Sequence, residues 1–168
     1  MASEIFWIEA AAPGRLAILA RPRANDWLDD DIRHWKAEGV GMVVSLLERE
    51  EIKDLGLELE KQRCEAAAIE YVSHPIPDRG VPASIQQTRT FAELIVAKLK
   101  AGSNVGIHCR AEIGRSALIA GSVLAVLGHH PDEAFNLIAT ARGVRVPDTD
   151  GQRDWLSLFV ANMRYTSS

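Results

Sequence analysis

Cysteine is scarce in this sequence, with only Cys64 and Cys109 in 168 residues. Two thiols cannot build the disulfide framework of a small secreted domain, and neither sits in a CxxC or paired Cys/His spacing that would hold zinc. The histidines His74, His129 and His130 also lack metal-ligand spacing. Long apolar runs are missing too. The longest, Ser116 to Gly128, falls short of the roughly 20 residues that span a bilayer. No run of five basic residues occurs and the net charge is −4, which argues against nucleic acid as the main partner. The opening residues have no basic segment followed by a long apolar one, so no secretory signal is read there. These absences lead us to expect a cytoplasmic protein, in a compartment where a free thiol survives.

What is present is ample core material. Apolar residues make up 47% of the chain and are spread along it. A chain of this length buries roughly 70% of its unfolded surface, enough for one domain without a staple. We therefore expect a single domain over residues 1–168. Short strands are predicted at Ile5 to Ala10, Arg15 to Ala20, Val40 to Leu47, Ile69 to Ile76 and Asn104 to Cys109. Helices are predicted at Asp26 to Gly39, Leu57 to Ala67, Ser84 to Lys100, Ile113 to Leu127, Pro131 to Arg142 and Gln152 to Tyr165. A short helix or turn follows Glu48. Ser84 with Gln87 reads as a capping box, and Asp29 to Asp31 as a charge cluster at a helix N-terminus. Trp27, Trp35 and Trp155 read as core or rim packing. Strands alternating with helices imply an α/β fold with a central, mostly parallel sheet covered by helices on both faces. In such sheets ligands bind where carboxyl ends of strands lead into helices.

One such place is Gly106 to Leu118, Gly-Ile-His-Cys-Arg-Ala-Glu-Ile-Gly-Arg-Ser-Ala-Leu. A tight loop here, from Cys109 to Arg115, points its amides inward at a helix N-terminus and forms an anion cradle. That cradle would lower a thiol from about 8.5 into the range 3.5–7.5, making Cys109 a candidate nucleophile. Arg115 offers a planar two-pronged donor for phosphate oxygens. Ser116 can donate to the sulfur and improve it as a leaving group. His108 is placed to hold the loop's shape. Loop residues Arg110, Ala111, Glu112, Ile113 and Gly114 would wrap the bound anion together with Arg115.

His108-Cys109, five residues, then Arg115-Ser116 resembles the signature loop of cysteine-dependent protein tyrosine and dual-specificity phosphatases, His-Cys-x-x-Gly-x-x-Arg-Ser/Thr. The segment Pro75 to Pro82, Pro-Ile-Pro-Asp-Arg-Gly-Val-Pro, is similar to that family's general-acid loop, with Asp78 at the acid position. Val146 to Trp155 resembles a downstream segment in which compact members carry a glutamine, here Gln152. The resemblance covers nearly the whole chain and points to the small, dual-specificity-like branch. It implies a protein tyrosine phosphatase-like fold and a phosphocysteine intermediate formed on Cys109. It also implies that Asp78 acts as acid and then base, and that Gln152 helps place the water. The implied substrate is a phosphorylated protein or peptide. No metal or cofactor is implied, no membrane partner either, and nothing bears on oligomeric state.

Glu112 departs from that pattern, because the family's usual residue is Gly, which adopts backbone angles others resist. A carboxylate also sits badly beside a phosphate dianion. Either its side chain turns outward, toward Arg110, Arg79 or Arg145, or the loop is strained and activity falls. The expectation is reduced but real phosphatase activity on phosphotyrosine, with phosphoserine and phosphothreonine open. The alternative is a pseudophosphatase that binds phosphoproteins without turnover. A rhodanese-like or arsenate-reductase-like loop also uses a cysteine at an anion cradle, but Asp78 and Ser116 count against it. For Cys64, a structural role and a resolving thiol for Cys109 both stay open.

Overall fold

Aliphatic and β-branched runs make the sheet. In the computed structural model, which describes residues 3–10, 12–110 and 113–166, the strands are β1 (Ile5–Ile8), β2 (Leu16–Leu19), β3 (Met42–Ser45), β4 (Glu70–Ser73) and β5 (Val105–His108). They lie in the order β1-β2-β5-β3-β4. β5 pairs parallel with both β2 and β3, and β3 pairs parallel with β4. β1 runs antiparallel to β2 at one edge. The sheet is thus mostly parallel, as expected, and β5 delivers Cys109 to the middle of its carboxyl edge.

The helices are α1 (Asp26–Ala37), α2 (Arg49–Asp54), α3 (Glu60–Ala66), α4 (Ile85–Lys100), α5 (Gly114–Val126), α6 (Pro131–Arg142) and α7 (Asp150–Thr166). Local signals set their ends. Ser84 Oγ accepts from Gln87 N at 3.1 Å to open α4. Pro131 occupies the first turn of α6, and Gly143, at φ 74°, closes it.

Period-two alternation sends the strands' side chains to two cores. Ile18, Val44, Val105 and Ile107 face α4, α5, α6 and α7. Ala17, Leu19 and Val43 face Trp35 and Ile32 of α1 and Cys64 of α3. α5 is buried on all sides from Gly114 to Ala125, the expected place for a helix that is apolar all round. Among the described residues no helix is long and apolar enough to cross a membrane.

Two sequence readings need correction, for Trp27 and Asp31, and at Cys64 the structural reading holds over the resolving thiol. Trp27 is 55% exposed, capped by the Arg23 guanidinium at 4.8 Å, whereas Trp35 and Trp155 are buried. Cys64 is fully buried on the face of the sheet opposite Cys109. There burial, reinforced by Glu60 and Glu65, pushes its thiol up to about 12. It is a core residue, in no position to resolve Cys109. Asp31 is no mere member of a charged helix end. It is fully buried and accepts from Ser3 N at 3.0 Å, Arg23 N at 2.8 Å and the Arg23 guanidinium at 2.7 and 3.1 Å. This pins the segment after β2 to α1.

Burial opposes the charge on Asp31, but the Arg23 side chain and the two backbone N–H groups outweigh it and hold the carboxyl below its ordinary value. A depressed carboxyl stabilises the fold above its unfolded pKa of about 3.9, and that contribution disappears as pH falls through the lower folded value. Asp31→Asn should therefore unfold about 1–3 kcal/mol more easily at pH 7. It should also lose part of the wild type's acid sensitivity below about pH 4, as read from thermal melts across pH.

Candidate active site

The site assembles at the carboxyl ends of β5 and β3. β5 ends at His108, and Cys109 follows with its side chain in the core that holds α5, only 4% exposed. α5 begins at Gly114, so Arg115 and Ser116 lie in its first turn. Gly114 N donates to Asp148 Oδ2 at 2.8 Å. A Cβ at this position would lie 2.2 Å from that oxygen and 2.6 Å from Gln152 Oε1, so close approach alone requires glycine.

Arg115 is 3% exposed and its outer edge is fully engaged. Nη1 donates to Glu51 Oε1 at 2.7 Å and to Ile76 O at 2.9 Å. Nη2 donates to Glu51 Oε2 at 2.9 Å and to Asp78 Oδ1 at 3.1 Å. Glu51 reaches this position because α2 starts directly beyond β3. Its carboxylate also accepts from Glu48 N at 3.0 Å, the second half of a capping arrangement, and Arg110 lies 3.8 Å away. Burial disfavours the Glu51 charge, yet the Arg115 hydrogen bonds, with Glu48 N, win and lower its pKa.

Asp78 projects from the turn after β4. Ile76 N donates to Leu46 O, Gly80 N to Pro77 O at 2.8 Å, and Arg79 takes φ 58°. Left-handed backbone at a non-glycine residue is strained, and the surrounding turn holds it. The Asp78 side chain stays 54% exposed, facing Arg115 from the solvent side.

Gln152 is fully buried. Its Oε1 accepts from Asp148 N and Thr149 N, and its Nε2 donates to Gly80 O at 3.1 Å. The start of α7 is thereby tied to the Asp78 turn. His108 is fully buried on the opposite face from Cys109, with Nε2 at 2.6 Å from Glu60 Oε2.

The structure therefore brings Cys109, Arg115, Ser116 and Asp78 together from two separated segments. Ala111 and Glu112 lie outside the described residues. Arg110 Nη1 lies 3.8 Å from Glu51 Oε2. The expectation of a depressed Cys109 thiol is not met. Burial pushes it up, Ser116 and Arg115 pull it down, and Asp148 adds an upward push. The physical reason is burial, which outweighs what Ser116 and Arg115 supply.

A cavity of about 230 Å³ opens on Cys109 and Ser116, walled by Ile18 to Arg21, Arg110, Ile113 and Arg142. Arg21 stands on its rim, whereas Arg23 is engaged by Asp31. Glu51 and Asp148 were missed by sequence reasoning. For Glu51 the Glu48/Glu51 spacing signals a helix start, but nothing local shows that its carboxylate reaches Arg115.

Across residues 18–129 the sequence matches the profile of the family described as "Tc-R-P: Polymorphic toxin system, DSP-PTPase phosphatase". The chain belongs to this DSP-PTPase phosphatase family. It is a cysteine-dependent phosphatase, and its fold agrees with solved members of the wider class. A kinase associated phosphatase (KAP), solved with serine replacing its catalytic-site cysteine, superposes with TM-score 0.85 at 21% identity, covering 98% of this chain and 97% of that one. Tk-PTP in its active form gives TM-score 0.74 at 26% identity, with 94% and 96% covered. A protein tyrosine phosphatase (putative) from Leishmania major gives 0.72 at 18% identity, with 91% and 96% covered. No curated protein matches the sequence.

Removing one partner of a buried ion pair leaves the other uncompensated. Glu51→Gln should cost about 3 kcal/mol in urea unfolding at pH 7, while Glu93→Gln, at an exposed pair with Arg89, should cost under about 1 kcal/mol.

Proposed function

We propose that this phosphatase hydrolyses phosphorylated proteins or peptides through a phosphocysteine on Cys109. The observation that carries the reading is the convergence of Arg115, Asp78 and Ser116 on the carboxyl end of β5, where Cys109 begins the loop. The Cys109 thiolate attacks phosphorus in line, the bond to the leaving oxygen breaks, and protonated Asp78 supplies that oxygen's proton. Asp78, now the base, takes a proton from water as the water attacks the phosphocysteine. The S–P bond breaks, phosphate leaves, and Ser116 donates to the departing sulfur. The transition-state charge falls on Arg115 and the loop amides of Arg110, Ala111, Glu112 and Ile113, while the Gly114 amide, expected among them, is taken by Asp148.

In the resting site Asp78 occupies Nη2 of Arg115. An arriving phosphoryl dianion exchanges with that carboxylate for the guanidinium. The displaced carboxyl is then placed to meet the leaving oxygen as general acid. His108 supports the loop from below. Gln152 acts through its bond to Gly80 O, which steadies the Asp78 turn. The substrates are phosphotyrosine and, where the cavity beside Cys109 admits the shorter side chain, phosphoserine and phosphothreonine. Arg21, Arg110 and Arg142 around that cavity favour a substrate with an acidic flank. We also propose that residues 1–168 act as one catalytic domain.

Retention of phosphoprotein without turnover is the second reading. It is favoured by the upward push on Cys109 and by Glu112 at the place of the family's glycine. One assay separates the two: release of phosphate from an aryl phosphate by this chain, Cys109→Ser and Glu112→Gly. The phosphatase reading expects vanadate-sensitive turnover by the chain, background from Cys109→Ser, and a gain of about ten-fold for Glu112→Gly. If the chain and Cys109→Ser are equally silent while both retain a phosphopeptide, the second reading holds. For the acidic flank, Arg21→Glu should raise KM for an acidic phosphopeptide several-fold, by about 1 kcal/mol, and leave kcat for the aryl phosphate unchanged.

A further inference from the structure

We propose that Glu60 is a positioning residue for the phosphate loop, acting through His108. The inference rests on Cys109 being the nucleophile, because His108 is its neighbour in the chain. Glu60 and His108 are both fully buried, and His108 Nε2 lies 2.6 Å from Glu60 Oε2. The pair sits on the face of the sheet opposite Cys109, under the last residue of β5.

A buried carboxylate held by a single imidazole is a poor stabilising device, since an apolar pair of the same shape would serve the core as well or better. The surroundings raise the cost further. Among the described residues, Glu60 Oε1 and His108 Nδ1 have no hydrogen-bond partner. Trp35 of α1 stacks against the imidazole at 6.2 Å and 28°. The titratable groups that face Glu60 are Cys64 on its own helix α3 and Tyr71 on β4. Burial first, and the Glu60 charge second, push both to about 12, so neither carries charge at neutral pH. Ser45 of β3 stands opposite His108 in the sheet register. Of these groups His108 is the one that hydrogen-bonds Glu60.

The consequence is geometric and electrostatic together. An ionised Glu60 requires Nε2 to carry a proton and donate it, which locks the ring's rotamer and tautomer. Backbone bonds hold the same residue, since Leu46 N donates to His108 O at 3.0 Å. Ring and backbone are then both fixed at the residue from which the loop departs. His108 is joined by its own peptide to the residue that carries the thiol. Because His108 adjoins Cys109 in the chain and Glu60 lies beyond the ring, a proton that Glu60 holds on the imidazole favours the thiolate over the thiol.

The test uses the full chain and two readouts that need no natural substrate. Cys109 alkylation by iodoacetamide is followed by mass spectrometry across pH, alongside aryl phosphate kinetics. Glu60→Gln should raise the midpoint of Cys109 alkylation by at least about half a pH unit. It should lower kcat about ten-fold or more with KM within about two-fold. In a His108→Asn background, Glu60→Gln should add nothing to either effect, because the two act as one unit. Glu60→Asp, which keeps the charge, should recover part of the midpoint shift. Should Glu60→Gln fail to fold, nitrogen NMR of the wild-type imidazole decides the matter: Nε2 of His108 must stay protonated throughout the titration. A Glu60→Gln protein that melts earlier but keeps the wild-type midpoint and kcat overturns the proposal, as does a bare Nε2 or additivity in the double variant. An inactive wild type whose Cys109 midpoint still answers to Glu60 would sink the proposed function and leave this inference standing.

Discussion

A guanidinium held between two carboxylates organises this molecule. Arg115 is almost fully buried, and its outer nitrogens reach Glu51 from the start of α2, Asp78 from the turn after β4 and the carbonyl of Ile76. Two segments far apart in the chain are thereby tied to the first turn of α5. A buried guanidinium tolerates its position only if its donors are satisfied, so the constraint runs both ways. The loop places the arginine, and the arginine draws in the carboxylates. The same carboxylates sit where an anion site needs positive charge, and at Cys109 burial outweighs the pull of Ser116 and Arg115. The resting site is electrically closed, and an incoming dianion has to compete with Asp78 for Nη2.

The rest of the fold supports that knot from below and behind. β5 lies between two parallel neighbours, so His108 and Cys109 leave the sheet at its rigid centre. On one face Cys109 meets α5, and on the other His108 meets Glu60 and Trp35. At the back, Asp148 takes the Gly114 amide and Gln152 joins the start of α7 to the Asp78 turn. The Asp78 turn is thus held from two sides, through Arg115 and through Gly80.

Much of this was legible in the chain. Alternation of strand and helix patterns located every element to within a few residues, because an amphipathic period and a capping residue are local properties. The Cys109 to Ser116 spacing was equally plain, since an anion loop at a helix start is built from consecutive residues. Asp78 was legible only through the family's pattern of residues. Glu51, Glu60 and Asp148 were not legible at all. Each is an ordinary acidic residue at a helix start or in a loop, and its partner lies 64, 48 or 34 positions away. Trp27 and Asp31 were misjudged for a related reason. Helical spacing says which residues share a face but not which neighbour covers it.

Taken alone, then, the order of residues determined the sheet's class, the helix limits and the chemical kinds gathered in one loop, since those follow from neighbours along the backbone. Only the folded chain decided which carboxylates face Arg115 and what shares the interior with His108. It also decided that Cys109 is a shielded thiol at rest. Those outcomes depend on distance and solvent exclusion, and both are set by strands and helices meeting across the sheet.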